Sequence, residues 1–231
     1  DGHVGPVISQ IEHKGSSVHP RQKAPHAHAI HVGPNNKFAF APDLGIDKVL
    51  VFKFDEKSGQ IKETKFGGAS LDPGSGPRHL DFHPNGKFAY VINEIKQTVT
   101  AFGFRPKRGK LRNLQTLSTV PEPVKGNSTA EVQVHPSGKF LYGSNRGHNS
   151  IAMFRINKKN GKLTALGHES TRGSTPRNFG IDPTGQFLLA AGQRSNNVNV
   201  FRIDPETGKL KFTGNSIEVA NPVCVRMILQ N

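Results

Sequence analysis

Hydrophobic positions in this chain fall in short alternating runs that end on turn residues, and the runs repeat. Four stretches align directly: Val32-Gly-Pro-Asn-Asn-Lys-Phe38, Phe82-His-Pro-Asn-Gly-Lys-Phe88, Val134-His-Pro-Ser-Gly-Lys-Phe140 and Ile181-Asp-Pro-Thr-Gly-Gln-Phe187. Their closing phenylalanines lie 50, 52 and 47 residues apart. Phe52, Phe102, Phe154 and Phe201 repeat at the same intervals, and so do Gly59, Gly109, Gly161 and Gly208. Three landmarks in one register define a true internal repeat.

Each repeat predicts four strands. Strand a is the run before the Pro-x-Gly turn (79–82), and strand b begins at the aromatic (87–92). Strand c follows (99–104), and strand d comes after a Gly-Lys hairpin (162–166). Val, Ile, Phe and Thr alternate with polar residues between Gly, Pro, Asn and Asp, which is the strand-and-hairpin signature. No run carries a helical period. The predicted fold is all-β: a propeller of four-stranded antiparallel blades spanning 26–75, 76–127, 128–174 and 175–220, all in one domain. Residues 6–13 read as a strand d finishing a preceding blade, and 222–229 as a strand a starting a closing blade. Because open sheet edges are a liability, the sequence is expected to be an N-terminally truncated ring of about four and a half blades. On that reading, missing blades or a second chain close the ring.

Antiparallel pairing puts the b–c and d–a loops on one face of the disc and the a–b and c–d hairpins on the other. Positions equivalent in every repeat but chemically different are where function is expected. Six residues before the turn proline stand His28, Arg78, Ala130 and Arg177. Six after the strand-b aromatic stand Leu44, Glu94, Arg146 and Gln193. Neighbouring slots add His79, Glu131 and Asn178, and Asp43, Asn93 and Asn145. All converge at the channel mouth as a polar, net-positive cup fit for an anionic small molecule. Equally, such residues can line a water-filled channel or tie adjacent blades together. His83 and His135 occupy a turn slot that also accepts Gly33 and Asp182, so they read as structural. His26, His28 and His31 alternate as zinc ligands can, but no further ligand accompanies them. Neither a metal nor a cofactor is expected.

Composition adds limits. Of 231 residues, 34% are hydrophobic and 21% charged, with 25 Gly and 16 Pro, a turn-rich globular balance. No apolar run reaches the ~20 residues of a membrane helix, so no membrane partner is expected. Lone Cys224 excludes an intrachain disulfide and reads as a small buried hydrophobe. A net charge of +14 raises nucleic acid as a partner. Yet Lys57, Lys62, Arg105, Lys107, Arg108, Lys110, Lys158, Lys159, Lys162, Lys209 and Lys211 all lie at c–d hairpins, away from the cup. With no Trp and two Tyr there is no interleaved aromatic set to stack bases, so no nucleic-acid partner is expected.

Several stretches resemble the lactonase family of seven-bladed propellers. They are Arg21-Gln-Lys-Ala-Pro-His-Ala-His28, Asp43-Leu-Gly-Ile-Asp47, Gly76-Pro-Arg-His79, Asn93-Glu94, Ala130-Glu131, Ser144-Asn-Arg-Gly147 and Thr175-Pro-Arg-Asn-Phe179. The family includes bacterial 6-phosphogluconolactonases and fungal carboxy-muconate cyclases. The resemblance implies a catalytic set of His28 (rather than His26), Arg78, Glu94 and Arg146. His26, His79, Glu131, Asn145, Arg177 and Gln193 are then expected to contact substrate. It implies hydrolysis of a sugar lactone, 6-phosphogluconolactone first, with Glu94 or His28 as general base and the arginines on the anion and oxyanion. The alternatives are a muconate-type lactonising enzyme and a non-catalytic propeller that binds an anionic ligand or a partner protein. A cytoplasmic location is expected, with periplasm or secretion left open because Asp1 reads as mid-domain sequence.

Overall fold

The computed structural model describes residues 3–228. It holds four antiparallel sheets, each with its strands in sequence order. The first contains β1 (His31–Val32), β2 (Phe38–Asp43), β3 (Lys48–Phe54) and β4 (Ile61–Ser70). The second contains β5 (Pro77–Phe82), β6 (Phe88–Asn93), β7 (Thr98–Arg105) and β8 (Lys110–Ser118). The third contains β9 (Ser128–Val134), β10 (Phe140–Arg146), β11 (Ser150–Ile156) and β12 (Leu163–Ser170). The fourth contains β13 (Pro176–Ile181), β14 (Phe187–Gly192), β15 (Asn197–Ile203) and β16 (Leu210–Glu218). These are propeller blades, packed face to face.

The repeated landmarks turn out to be one contact made three times. Phe38 packs over Gly109, Phe88 over Gly161 and Phe140 over Gly208; a methyl group at any of these glycines would lie 2.3–2.6 Å from the ring. Each of these three strand-b phenylalanines is thus seated on the c–d hairpin of the following blade, so the two landmarks keep one spacing. Beside them, the Tyr90 and Tyr142 hydroxyls donate to the Gly161 and Gly208 carbonyls at 3.0 and 2.9 Å. The turn histidines do the same work: Nε2 of His83 and of His135 meets the carbonyl of Gly138 and of Gly185 at 3.0 and 2.8 Å. Between sheets lie apolar layers such as Phe40, Val51, Leu80 and Phe102, then Tyr90, Ile92, Val132 and Phe154, then Tyr142, Met153, Phe179 and Phe201.

The two faces are as the antiparallel argument requires. Asn35 in an a–b turn donates to the Pro106 carbonyl in a c–d hairpin. On the other face the d–a connections bond the b–c turns, as in Leu71 N to Asp47 O and Thr119 N to Gln97 O.

Strand a of the first sheet is only two residues long. Pro42 on β2 has no amide to donate, so pairing breaks there. The chain rejoins β2 through His28 N to Pro42 O at 3.0 Å and an isolated bridge between Ala27 and Asp43. Neither expected end strand forms a ladder among the described residues. Residues 6–13 are extended with no ladder; Ser9, Ile11 and His13 turn inward across the first sheet. Ser9 Oγ exchanges hydrogen bonds with Ile61, Ile11 packs on Ala39, Ala41 and Phe52, and His13 meets Asp43. Residues 222–228 likewise form no ladder, and residue 229 lies outside the described residues. Val225 N instead donates to Asn178 Oδ1 at 2.7 Å, with Val225 and Met227 turned toward Gly180. Cys224 alternates outward and is exposed, not buried.

Candidate functional site

Glu94 follows β6 at the channel mouth and is 4% exposed. Three guanidinium groups converge on it. Arg21 meets Oε1 at 2.7 Å, while Arg78 Nε and Arg146 meet Oε2 at 2.8 and 2.9 Å. Burial pushes the Glu94 carboxyl up, but Arg146, Arg21 and Arg78 together pull harder and hold it at about 2. Arg78, 2% exposed, also donates through Nη1 to the Ala130 carbonyl at 2.8 Å. Burial and the neighbouring Arg146 lower it to about 10, so it stays charged at neutral pH. Arg146 donates to the Thr129 carbonyl as well, and its buried Nε has no partner.

His79 accepts from Arg78 Nη1 at 3.2 Å through Nε2, which leaves Nδ1–H to donate to Glu131 at 3.0 Å. His28 sits edge-on to His79, ring centroids 5.2 Å apart. Burial first, then Arg78 and His79, lower His28 from its ordinary 6.5 to about 3, so its imidazole is neutral. Its Nδ1 is buried without a partner. Arg78, Glu94, Arg146, His28 and His79 therefore form one cluster. His26 is exposed at its rim, 6.1 Å from His28. Among the described residues no three His, Cys, Asp or Glu side chains gather into a metal-binding group.

Two of the expected substrate contacts are buried and bonded within the protein. Asn145 is fully buried, gives both amide hydrogens to Thr119 O and Ser150 Oγ, and accepts from Thr119 Oγ1. It ties the second blade to the third. Glu131 is 3% exposed and spent on His79, Asn178 and the Val132 amide, so it positions His79 from behind. Arg177 and Gln193 sit apart, with Arg146, Ser174, Thr175 and Arg194, around a cleft of about 440 Å³. Arg146 borders both that cleft and the Glu94 cluster.

Repeat logic missed Arg21, because it precedes the first repeat and occupies no slot. It arrives on a loop pinned by neighbouring Gln22, fully buried, which donates to Leu44 O and Asp47 Oδ1 at 2.7 Å each. Gly45 makes room for that loop: any Cβ there would lie 2.0 Å from the Ala24 carbonyl.

Comparison with known proteins gives the family. The family model for "Lactonase, 7-bladed beta-propeller" matches residues 1–227. A 6-phosphogluconolactonase of Bacillus subtilis is 38% identical over 172 residues, 74% of this chain and 48% of that protein. Among solved structures, a periplasmic gluconolactonase of Pseudomonas aeruginosa superposes with a TM-score of 0.87 at 35% identity, over 94% of this chain and 61% of that one. A protein from Lactobacillus plantarum superposes at 0.90 with 32% identity, over 95% and 63%. The chain thus spans about half the length of the Bacillus relative and under two thirds of these structures. With the match running over nearly every residue, the chain belongs to the family of seven-bladed β-propeller lactonases.

Proposed function

We propose that the protein hydrolyses a sugar lactone, 6-phosphogluconolactone first, at the Glu94 cluster. The observation that carries this reading is one buried carboxylate ringed by Arg21, Arg78 and Arg146, beside a neutral histidine whose Nδ1 is unpartnered. The ring leaves a surplus of positive charge, which favours an anionic substrate and the oxyanion formed when water adds to the lactone carbonyl.

Glu94 is unfit as the base. Both its oxygens are engaged by guanidinium groups, whereas the Nδ1 of His28 has no partner. Glu94 anchors the arginines instead. His28 is the base: neutral at working pH, it takes a proton from the attacking water. The carbonyl oxygen becomes an oxyanion in the field of Arg78 and Arg146. Collapse breaks the ester C–O bond, and the histidine returns its proton to the departing ring oxygen, giving the open hydroxy acid. Burial is the first cause that lowers His28 and the Arg78 field the second, and a bound anion offsets only that second part.

The test is hydrolysis of 6-phosphogluconolactone by the full chain, corrected for the uncatalysed reaction. His28→Gln should lower kcat by ~10²-fold or more, as loss of a general base does. Wild-type turnover in that variant would refute the assignment.

A further inference from the structure

Arg78 is the most tightly held guanidinium of the cluster. Its Nε–H donates to Glu94 Oε2 at 2.8 Å. The two hydrogens of Nη1 go to the Ala130 carbonyl at 2.8 Å and to His79 Nε2 at 3.2 Å. Three of the five N–H bonds are thereby committed to three separate acceptors, so the plane cannot roll. Nη2 makes no hydrogen bond among the described residues, yet it keeps contact with solvent although the residue is 2% exposed. Both its hydrogens are free for a ligand. Arg146, by contrast, is held through Nη2 alone, by Thr129 O and Glu94.

The acceptor on Nη1 is itself held across two blade seams. A guanidinium only donates, so His79 Nε2 carries the lone pair and Nδ1 the proton. That proton goes to Glu131 Oε1 on β9 of the third blade, at 3.0 Å. Glu131 is fixed in turn. Its Oε1 also accepts from Val132 N at 3.0 Å, and its Oε2 accepts from Asn178 Nδ2 on β13 of the fourth blade. Asn178 is anchored by accepting from Val225 N at 2.7 Å. With both ring nitrogens engaged, His79 has no polar atom to offer a substrate. The fourth blade is an internal comparison, because Arg177 and Asn178 fill the slots of Arg78 and His79. There Asn178 turns to Glu131, and Arg177 makes no side-chain hydrogen bond or ion pair among the described residues. Of the two arginines in this slot, only the one followed by a histidine is locked.

We propose that His79 and Glu131 are positioning residues that lock Arg78 so that its Nη2 meets the oxyanion formed from the lactone carbonyl. This rests on the lactonase reading above and assigns the oxyanion to Arg78 rather than Arg146. Stabilising an oxyanion requires donors already fixed where the charge develops. Arg78 meets that requirement, whereas Arg146 is held at one nitrogen. The carbonyl of the bound lactone carries less charge than the oxyanion, so the lock acts on kcat rather than on KM.

Two measurements on the full chain test this. The first is hydrolysis of 6-phosphogluconolactone by His79→Leu and His79→Gln. Leucine is close to the ring in size but gives Arg78 no acceptor, while the glutamine Oε1 can accept in place of Nε2. His79→Leu should lower kcat by ~10-fold or more with KM within about threefold of wild type, and His79→Gln should regain at least ~5-fold of that loss. A merely structural histidine gives something else: equal kcat losses in both variants that track their loss of stability, or a raised KM at unchanged kcat. Either result overturns the proposal, as does wild-type kcat in a folded His79→Leu. The second measurement needs no substrate. Long-range proton–nitrogen NMR of the wild-type imidazoles at neutral pH, assigned with His79→Gln, should show His79 protonated on Nδ1 and not on Nε2. A proton on Nε2 overturns the lock, because Arg78 then has no acceptor there. If the tautomer is as stated and wild type hydrolyses no lactone, the lactonase reading falls and takes the oxyanion with it, while the lock stands.

Discussion

Glu94 shows what one residue controls here. Among the described residues it is the only carboxylate that meets Arg21, Arg78 and Arg146. Glu94→Gln therefore leaves three guanidinium groups, Arg78 fully buried, without their counter-charge. Removing one partner of a buried pair costs about 3–5 kcal/mol, so denaturant titration should show a loss of that size. A loss under about 1 kcal/mol would mean solvent reaches the cluster and screens it. His28 gives a second prediction at this scale. The unfolded chain binds its proton near 6.5 and the folded chain near 3. In that interval the unfolded state carries more protons, so this group's contribution to stability is intact above 6.5 and is lost as pH falls toward 3. Catalysis by neutral His28 should then have no acid limb near 6.5, and kcat/KM should stay level from pH 7 to pH 5. An inflection near 6.5 that disappears in His28→Gln would mean the histidine is solvated. Most of the cluster was legible in the sequence because Arg78, Glu94 and Arg146 break a repeat that fixes every neighbour. Asn145 is different, because its slot is itself repeated, as Asp43 and Asn93. Asn93 binds Thr98 and Thr100, and Asn145 binds Ser150, so the slot belongs to the scaffold.

Among the elements, the loop carrying Arg21 and the turn leading into β5 meet at one side chain. Asp47, 4% exposed, accepts from Gln22 Nε2 and Gly76 N through Oδ1, at 2.7 Å each. Through Oδ2 it accepts from Ser17 Oγ at 2.5 Å and Gly74 N at 2.6 Å. Arg21 and Arg78 are thereby held in register on Glu94 by a carboxylate that touches neither. Asp47→Ala strands several buried donors and should cost on the order of 3 kcal/mol. It should also lower kcat/KM about as much as Arg21→Ala does, and the double variant should be no worse than either, because both release the same guanidinium. Additive losses would mean that Asp47 acts independently of Arg21. The sequence showed strands plainly where a contact recurs, as Phe38, Phe88 and Phe140 do on their glycines. At 6–13 and 222–228 it showed only alternation. Alternation makes a segment extended, while a ladder needs a partner strand in hydrogen-bonding position, and no local pattern records that.

For the whole molecule, charge and closure are the open quantities. The basic hairpin of Arg105, Lys107, Arg108 and Lys110 is exposed on the face away from Glu94. Reversing all four to Glu should leave KM for the lactone within about twofold at physiological salt, where the Debye length is about 8 Å. A several-fold rise would place the hairpin within the substrate's field. Closure concerns the outward faces of the first and fourth sheets. Inner faces in this fold are dry: Phe40, Tyr90, Phe140 and Phe201 are fully buried between blades. The outward faces are crossed only by single extended segments, which leave Ile30 61%, Val223 50% and Ile228 86% exposed. Unpaired backbone and apolar side chains at such edges are templates for another strand. We propose that further blades or a second chain cover both faces, in keeping with a family fold of seven blades. A polypeptide of residues 1–231 alone should then self-associate at micromolar concentration, as light scattering coupled to size exclusion would detect. Amides in 6–13 and 222–228 should exchange hydrogen far faster than those of β6 or β10. A monodisperse 25.1 kDa monomer with both end segments protected would mean that the two segments suffice to close these faces.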